Sequence, residues 1–316
     1  MTSRSRQAGF TLLEAAIVFV VVTGLTAMIT ESLISLSRSQ RWSERRSVAL
    51  NKVEKLVQAM SQDLDAAVRV YTESPASRAL LARLDLGPMT PSRSTVLPIA
   101  TERGYFDVDA TGVLETGNML LIARTLPAIE VPTGVADRRA RIDRFQLVLY
   151  CLHRENDRLD LDRWASAPIA RVDDIAAIAD AVERGAVVAG LHAQGVPLAW
   201  RNDEPVVENA FFQLLATGRS PRMQSSEKIP ASAHELVRDA LLRSRLMVAS
   251  NGLTGSEPVP RYAHELPDYP HGFEVKIDGD GTGRLVLVRL VVVSAPAVGE
   301  RPVRAAVERL IAVREP

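Results

Sequence analysis

Few residues of this chain have the type and spacing to do chemistry, and the most conspicuous is a carboxylate in apolar company. Glu14 stands five residues into a run from Phe10 to Ile29 that holds no second charge. Twenty helical residues rise about 30 Å, the thickness of a bilayer's hydrocarbon core. The run can therefore span a membrane, and an ionisable group at that depth is costly enough to require a partner and a task.

The other candidates are weaker. His234-Glu235 and His264-Glu265 each begin like a zinc-protease helix, but neither pair is followed by a second His at the fourth position, and Pro267 breaks the latter helix. The five histidines form no ligand spacing. Gly279-Asp280-Gly281-Thr282-Gly283 misses the dinucleotide fingerprint and leads into a strand, where no helix N-terminus can receive phosphate. Asp278 and Asp280 offer hard oxygens at alternate positions, as calcium loops do, yet the later bidentate acid is missing and Arg284 follows instead. Calcium at Asp278 and Asp280 stays an expectation beside a plain glycine-rich turn with solvated acids. Cys151 lies in the apolar stretch from Phe145 to Leu152 and reads as a small buried hydrophobe. No catalytic set assembles, so a non-enzyme is expected.

Around Glu14 the context is specific. Residues 1–9 are short and polar and carry Arg4 and Arg6, like the front of an export signal. The apolar run is followed by only a poor small-x-small cleavage site and by no Cys for lipid attachment. Arg38, Arg41, Arg45 and Arg46 after the span outnumber the two arginines before it, so charge counting assigns no clean orientation. Gly9-Phe10-Thr11-Leu12-Leu13-Glu14 after a basic leader resembles the processing site of the type IV pilin and pseudopilin family.

That resemblance implies a cut between Gly9 and Phe10 by a prepilin peptidase, N-methylation of Phe10, and pairing of Glu14, fifth after the cut, with the amine of a neighbouring subunit. The further partners it implies are other pilin or pseudopilin subunits, an inner-membrane assembly platform and the membrane itself. The place it implies is the bacterial inner membrane, single-pass, with a periplasmic head joined to a periplasmic or surface filament. It covers only the first thirty or so residues. The proline that often kinks the span in true pilins is absent and only Gly24 weakens it, which favours a straighter, pseudopilin-like helix.

The elements that must position these residues follow from periodicity. With 316 residues, 47% of them apolar, the chain has material for a sizeable core, and its 38 basic and 38 acidic residues point to no nucleic acid. The expected organisation is a leader over 1–9, a transmembrane helix over 10–30, an amphipathic helix over 31–71 and an α+β head over 72–316. From Val53 to Tyr71 apolar residues recur in steps of three and four, one helical stripe. Ser74-Pro75 opens a short helix to Leu86. Strands are expected over 105–108, 117–124 and 144–152, then a mixed helical insertion around 165–255. In it, Asp173 or Asp174 caps a helix ending at Gly185, and Ser232 to Glu235 forms the capping box of another. Strict alternation returns over 272–277, and strands over 284–294 and 304–314 close the chain as a hairpin on an antiparallel sheet.

The resulting expectation is a large minor pilin or pseudopilin of a type II secretion or type IV pilus system. The largest tip pseudopilins typically lack the acid found here at Glu14, which favours a neighbour of the terminal subunit or a comparably large minor pilin of the motility or DNA-uptake type. Two other readings stay open: a single-pass anchored periplasmic enzyme or binding module, and a DNA-uptake or adhesion tip subunit.

Overall fold

The computed structural model describes residues 11–87, 89, 96–104, 106, 115–155, 158–196, 198–200, 212–213, 228–232, 237–238, 246–249, 272–279, 283–294 and 303–314. The chain divides into two units, residues 1–48 and 49–316, and helix α1 (Leu12–Asp65, 54 residues) contributes to both. In the first unit every described residue of α1 is exposed, Leu12 at 90% and Phe19 at 72%. A helix that is apolar all round suits a surrounding other than water. This one is long and apolar enough to cross a membrane. Gly24 lies inside the unbroken helix.

In the second unit, α1 buries Ala49, Val53, Val57, Met60 and Leu64, the three-and-four spacing of one helical face. The chain continues through β1 (Ala67–Tyr71), α2 (Pro75–Arg83), β2 (Ala100–Thr101), β3 (Met119–Pro132), β4 (Arg139–Glu155), β5 (Arg158–Ala165), β6 (Ile169–Arg171), α3 (Val172–Ala176) and α4 (Ala181–Ala193). Then come β7 (Leu198–Trp200), β8 (Phe212–Gln213), β9 (Val237–Arg238), β10 (Leu246–Val248), β11 (Phe273–Asp278), β12 (Arg284–Ser294) and β13 (Arg304–Val313). One sheet runs β1-β3-β4-β6-β7-β8, with β5 pairing β4 and β9. The other runs β10-β12-β11-β2, with β13 on β12. Pairing is antiparallel except between β2 and β11 and between β6 and β7. The class is α+β.

Period-two alternation explains why the central strands read as unbroken apolar runs. Leu120 and Ile122 of β3, with Val148, Tyr150 and Leu152 of β4, share one cluster with the α1 stripe. Val275 and Ile277 of β11 and Val286, Val288 and Leu290 of β12 complete it from the second sheet. Leu121, Ala123, Leu147, Leu149 and Cys151 point the other way, into a cluster with Trp164 of β5 and Leu80 of α2. A strand buried on both faces has no polar face to show. Pro127, which has no N–H to give the ladder, falls where the β3–β4 register shifts between Leu126 and Ile129.

One buried polar group ties α1 to the first sheet. The Asp63 carboxylate accepts the Tyr150 hydroxyl at 2.6 Å and Arg163 through Nε at 2.9 Å and Nη2 at 3.2 Å, and it pairs with Arg124 as well. Gln146 accepts Arg124 Nε at 3.1 Å and Nη2 at 2.6 Å, and donates to the Ser166 carbonyl at 2.8 Å. Burial, and then the Asp63 charge, push the Tyr150 phenol well above its ordinary pKa, so it stays a donor.

Several expected boundaries are corrected. The amphipathic helix does not reach Tyr71: it ends at Asp65, and 67–71 is β1, where Val70 and Tyr71 pair with Ile122 and Leu121. The Asp63 network fixes the last turn, Thr125 N–H donates to the Ala66 carbonyl at 2.9 Å, and a stretch rich in Val and Tyr suits a strand. The helix expected from Asp173 or Asp174 to Gly185 is two helices. Asp174 accepts Asp143 N–H at 2.8 Å instead of carrying the helix on, whereas Asp180 caps α4 through Val182 N–H at 2.7 Å and Glu183 N–H at 2.9 Å. α4 passes Gly185 and stops before Gly195, whose φ of 72° terminates it.

Of the helix expected from Ser232, the described residues 232, 237–238 and 246–248 are not helical. Ser232 N–H donates to the Ala165 carbonyl at 2.9 Å, Val237–Arg238 pairs with β5, and Leu246–Val248 pairs with β12. Open strand edges took residues whose spacing also fits a helix. The α2 helix has its Ser74 cap, with Ser77 N–H at 3.1 Å, but ends at Arg83, since the Arg83 carbonyl and Asp85 N–H pair with Ile229. Of the strand expected over 105–108 only Phe106 is described, and it lies in no strand.

Removing one partner of a buried ionic network leaves charges uncompensated, which costs about 3–5 kcal/mol. Asp63→Ala is therefore expected to lower unfolding stability by about that amount. Asp63→Asn, which keeps an acceptor for Tyr150, should lose less. Chemical denaturation of the full chain in detergent measures both, and equal stability of wild type and Asp63→Ala would refute the assignment.

Candidate functional site

The apolar N-terminal helix carries the sequence-level candidates, and its first turn is built around two of its own residues. α1 starts at Leu12, so Thr11 is the residue before it and Glu14 the third within it. Thr11 Oγ1 accepts Glu14 N–H at 3.3 Å, while Glu14 Oε2 accepts Thr11 N–H at 2.9 Å and Thr11 Oγ1–H at 2.8 Å. This is a reciprocal capping box, which satisfies helix-end donors that otherwise have no partner. A carboxylate at this end also meets the positive pole of the helix.

Both Glu14 contacts fall on Oε2. A carboxylate can accept about four hydrogen bonds, so capping does not exhaust it. Glu14 itself is exposed. The arrangement presents a fixed, negatively charged acceptor at the start of an apolar helix, suited to a cation and to no bond-making chemistry by itself. Gly9 and Phe10, the expected cut and methylation positions, lie outside the described residues.

Farther along the helix the hydroxyls are also satisfied internally. Thr23, Thr26 and Thr30 donate to the carbonyls of Phe19, Val22 and Thr26 at 2.7, 2.8 and 2.7 Å. Such back-bonding lets threonine sit in hydrocarbon without an unpaired polar group.

The remaining candidates do not converge on this turn. Asp278 ends β11 and is buried, and its Oδ1 accepts Thr101 Oγ1–H and Arg103 N–H, each at 2.8 Å. It thus ties the β2 end to β11. Asp280 lies outside the described residues, as do His234, Glu235, His264 and Glu265. Among the described residues no three of His, Cys, Asp and Glu gather as a metal site. Cys151 is fully buried, and burial pushes its thiol above the ordinary cysteine range.

Thr11 was missed by reading Glu14 through its bilayer depth. The signal was present, because Thr11-Leu12-Leu13-Glu14 has capping-box spacing directly before an apolar run. No family model, no curated protein and no solved structure matches the chain.

Two measurements check these assignments. Asp278→Ala strands two donors and is expected to cost about 1–3 kcal/mol, equally with and without calcium, whereas Asp278→Asn keeps an acceptor and costs less. A stability difference that appears only when calcium is added would instead make Asp278 a ligand. Cys151 should resist alkylation at pH 8 in the folded chain and react fully in denaturant, because the thiolate is the reactive form. Rapid labelling of native protein would contradict its burial.

Proposed function

We propose that this chain is a non-enzymatic, membrane-anchored assembly subunit, a minor pilin or pseudopilin. It is processed between Gly9 and Phe10 and joins or primes an envelope-spanning filament of a type II secretion or type IV pilus system. The observation that carries the reading is Gly9-Phe10-Thr11-Leu12-Leu13-Glu14 at the head of one long helix, apolar and exposed at first and buried in a core later. Cleavage makes Phe10 a new charged end. The Glu14 carboxylate, held in place by Thr11, is the acceptor that such an end on a neighbouring subunit would meet.

The energetics agree with that role. An unpaired carboxylate in hydrocarbon is expensive, whereas an ion pair between subunits offsets the desolvation and specifies register more than raw stability. Residues 72–316 form the periplasmic head, with the 165–255 region inserted in it, and the partners are prepilin peptidase, sister subunits and the inner-membrane platform. The head itself supplies no catalytic step.

Intact-mass and N-terminal analysis of membrane-extracted protein tests the reading. In cells with an active prepilin peptidase the chain should lack Met1–Gly9 and begin with N-methylated Phe10. Glu14→Gln should still be cut but should co-purify poorly with sister subunits. Retention of Met1–Gly9 in such cells would defeat the proposal.

A further inference from the structure

The turns of α1 that follow the apolar run are as unusual in composition as the run itself. Four arginines, Arg38, Arg41, Arg45 and Arg46, fall within nine residues, together with Trp42, and all are exposed. At 100° per residue these five side chains occupy an arc of about 140°, one face of the helix. Glu44 is the single acid in the segment; it falls outside that arc and takes a hydrogen bond from Gln40 at 3.5 Å. The Arg46 guanidinium lies over the Trp42 ring, 5.5 Å from its centroid. The face is cationic and carries an aromatic ring at its middle.

Its place along the helix identifies what it fits. Beyond Ile29 comes Glu31, and then Leu33, Ile34 and Leu36 continue the exposed apolar surface; the stretch from Phe10 to Leu36, about 40 Å long, fits a roughly 30 Å core when the helix is tilted, and on that geometry the hydrocarbon ends close to Leu36. With a rise of 1.5 Å per residue, Arg38 follows Leu36 by about 3 Å and Trp42 by about 9 Å. That depth is the headgroup layer, where tryptophan and snorkelling arginines are favoured and where phosphates complement guanidinium charge.

We infer that the Arg38–Arg41–Arg46 face with Trp42 is a binding surface for anionic phospholipid headgroups, which sets how deep the helix sits. This rests on the membrane-span reading of α1. Trp42 marks the interface, and its contact with Arg46 holds one guanidinium over an amphipathic ring. The arginines meet phosphates of the leaflet into which the helix emerges. A fixed depth would present Glu14 at one level in every subunit.

The test uses full-length protein reconstituted into phosphatidylcholine vesicles, with spin-labelled phosphatidylglycerol or phosphatidylcholine as the reporter lipid. Phosphatidylglycerol should be preferred beside the protein by about threefold or more, since each basic residue near the surface attracts anionic lipid measurably. The preference should fall at high salt in the wild type, a readout that needs no variant. R38Q/R41Q/R46Q should bring it close to parity. Brominated lipids should quench a component of tryptophan fluorescence that Trp42→Phe removes.

Equal association of the two lipids with wild type, or a preference unmoved by the triple substitution, would overturn the inference. Loss of sister-subunit binding in the triple variant at an unchanged lipid ratio would also overturn it and assign the face to protein contacts. Release of the wild type from vesicles by carbonate would sink the membrane-span reading itself. Carbonate-resistant protein without lipid preference would sink the headgroup surface alone.

Discussion

A helix that ends on acids works against its own dipole, and α1 ends that way: its last turn holds Asp63 and Asp65 and no base. Asp63 is also buried, so water cannot solvate it. Arg124 from β3 and Arg163 from β5 answer both problems at once, and Tyr150 from β4 fills a further acceptor position. Three adjacent strands thereby converge on one turn of helix. Arginine suits this better than lysine, because its planar fork reaches Asp63 and Gln146 together from Arg124.

Much follows from that tie. With Asp63 held, the Ala49 to Leu64 stripe meets the two sheets in one register, and the chain turns directly into β1 beside β3. Apolar packing alone tolerates small slides along a helix, since leucine and valine surfaces are interchangeable at that level. A buried carboxylate with several directed partners does not tolerate them. Arg309 Nη1, donating to Ser61 Oγ at 3.1 Å, adds a contact from β13 to the same part of the helix.

How much of this was legible depended on whether a residue's partner was near in sequence. The Ser74 cap and the closing strands rest on neighbours within a few positions and read correctly. Helix α1 read correctly until its stripe stopped being decided locally: Val68 and Tyr71 keep helical spacing, but the pairing of this segment with β3 lies about fifty residues away. The same competition holds for residues 237–238 and 246–248 of the segment expected as the Ser232 helix, which pair with β5 and β12. The Asp63 tie was not legible, since nothing near it in the sequence announces Arg124, Tyr150 or Arg163. In the candidate site, Glu14 was legible from its depth in the apolar run, and Thr11 was legible only from capping geometry.

In the role we propose, Glu14 answers two demands that do not compete. As the third helical residue it accepts from Thr11 and completes the first turn, a role any soluble helix could give it. That role alone does not explain the residue, because a cap at the head of a hydrocarbon-spanning helix could be made by a neutral glutamine without bringing a charge to that depth. The charge has a use only if a cation comes to it. The N-terminal amine that the cleavage we propose would create one residue before Thr11 is such a cation, and on a neighbouring subunit it would meet an acceptor whose orientation the capping box has already fixed. In the role we propose, local helix chemistry prepares the carboxylate and the membrane would make its pairing specific, because an amine and a carboxylate are each poorly tolerated in hydrocarbon until they meet.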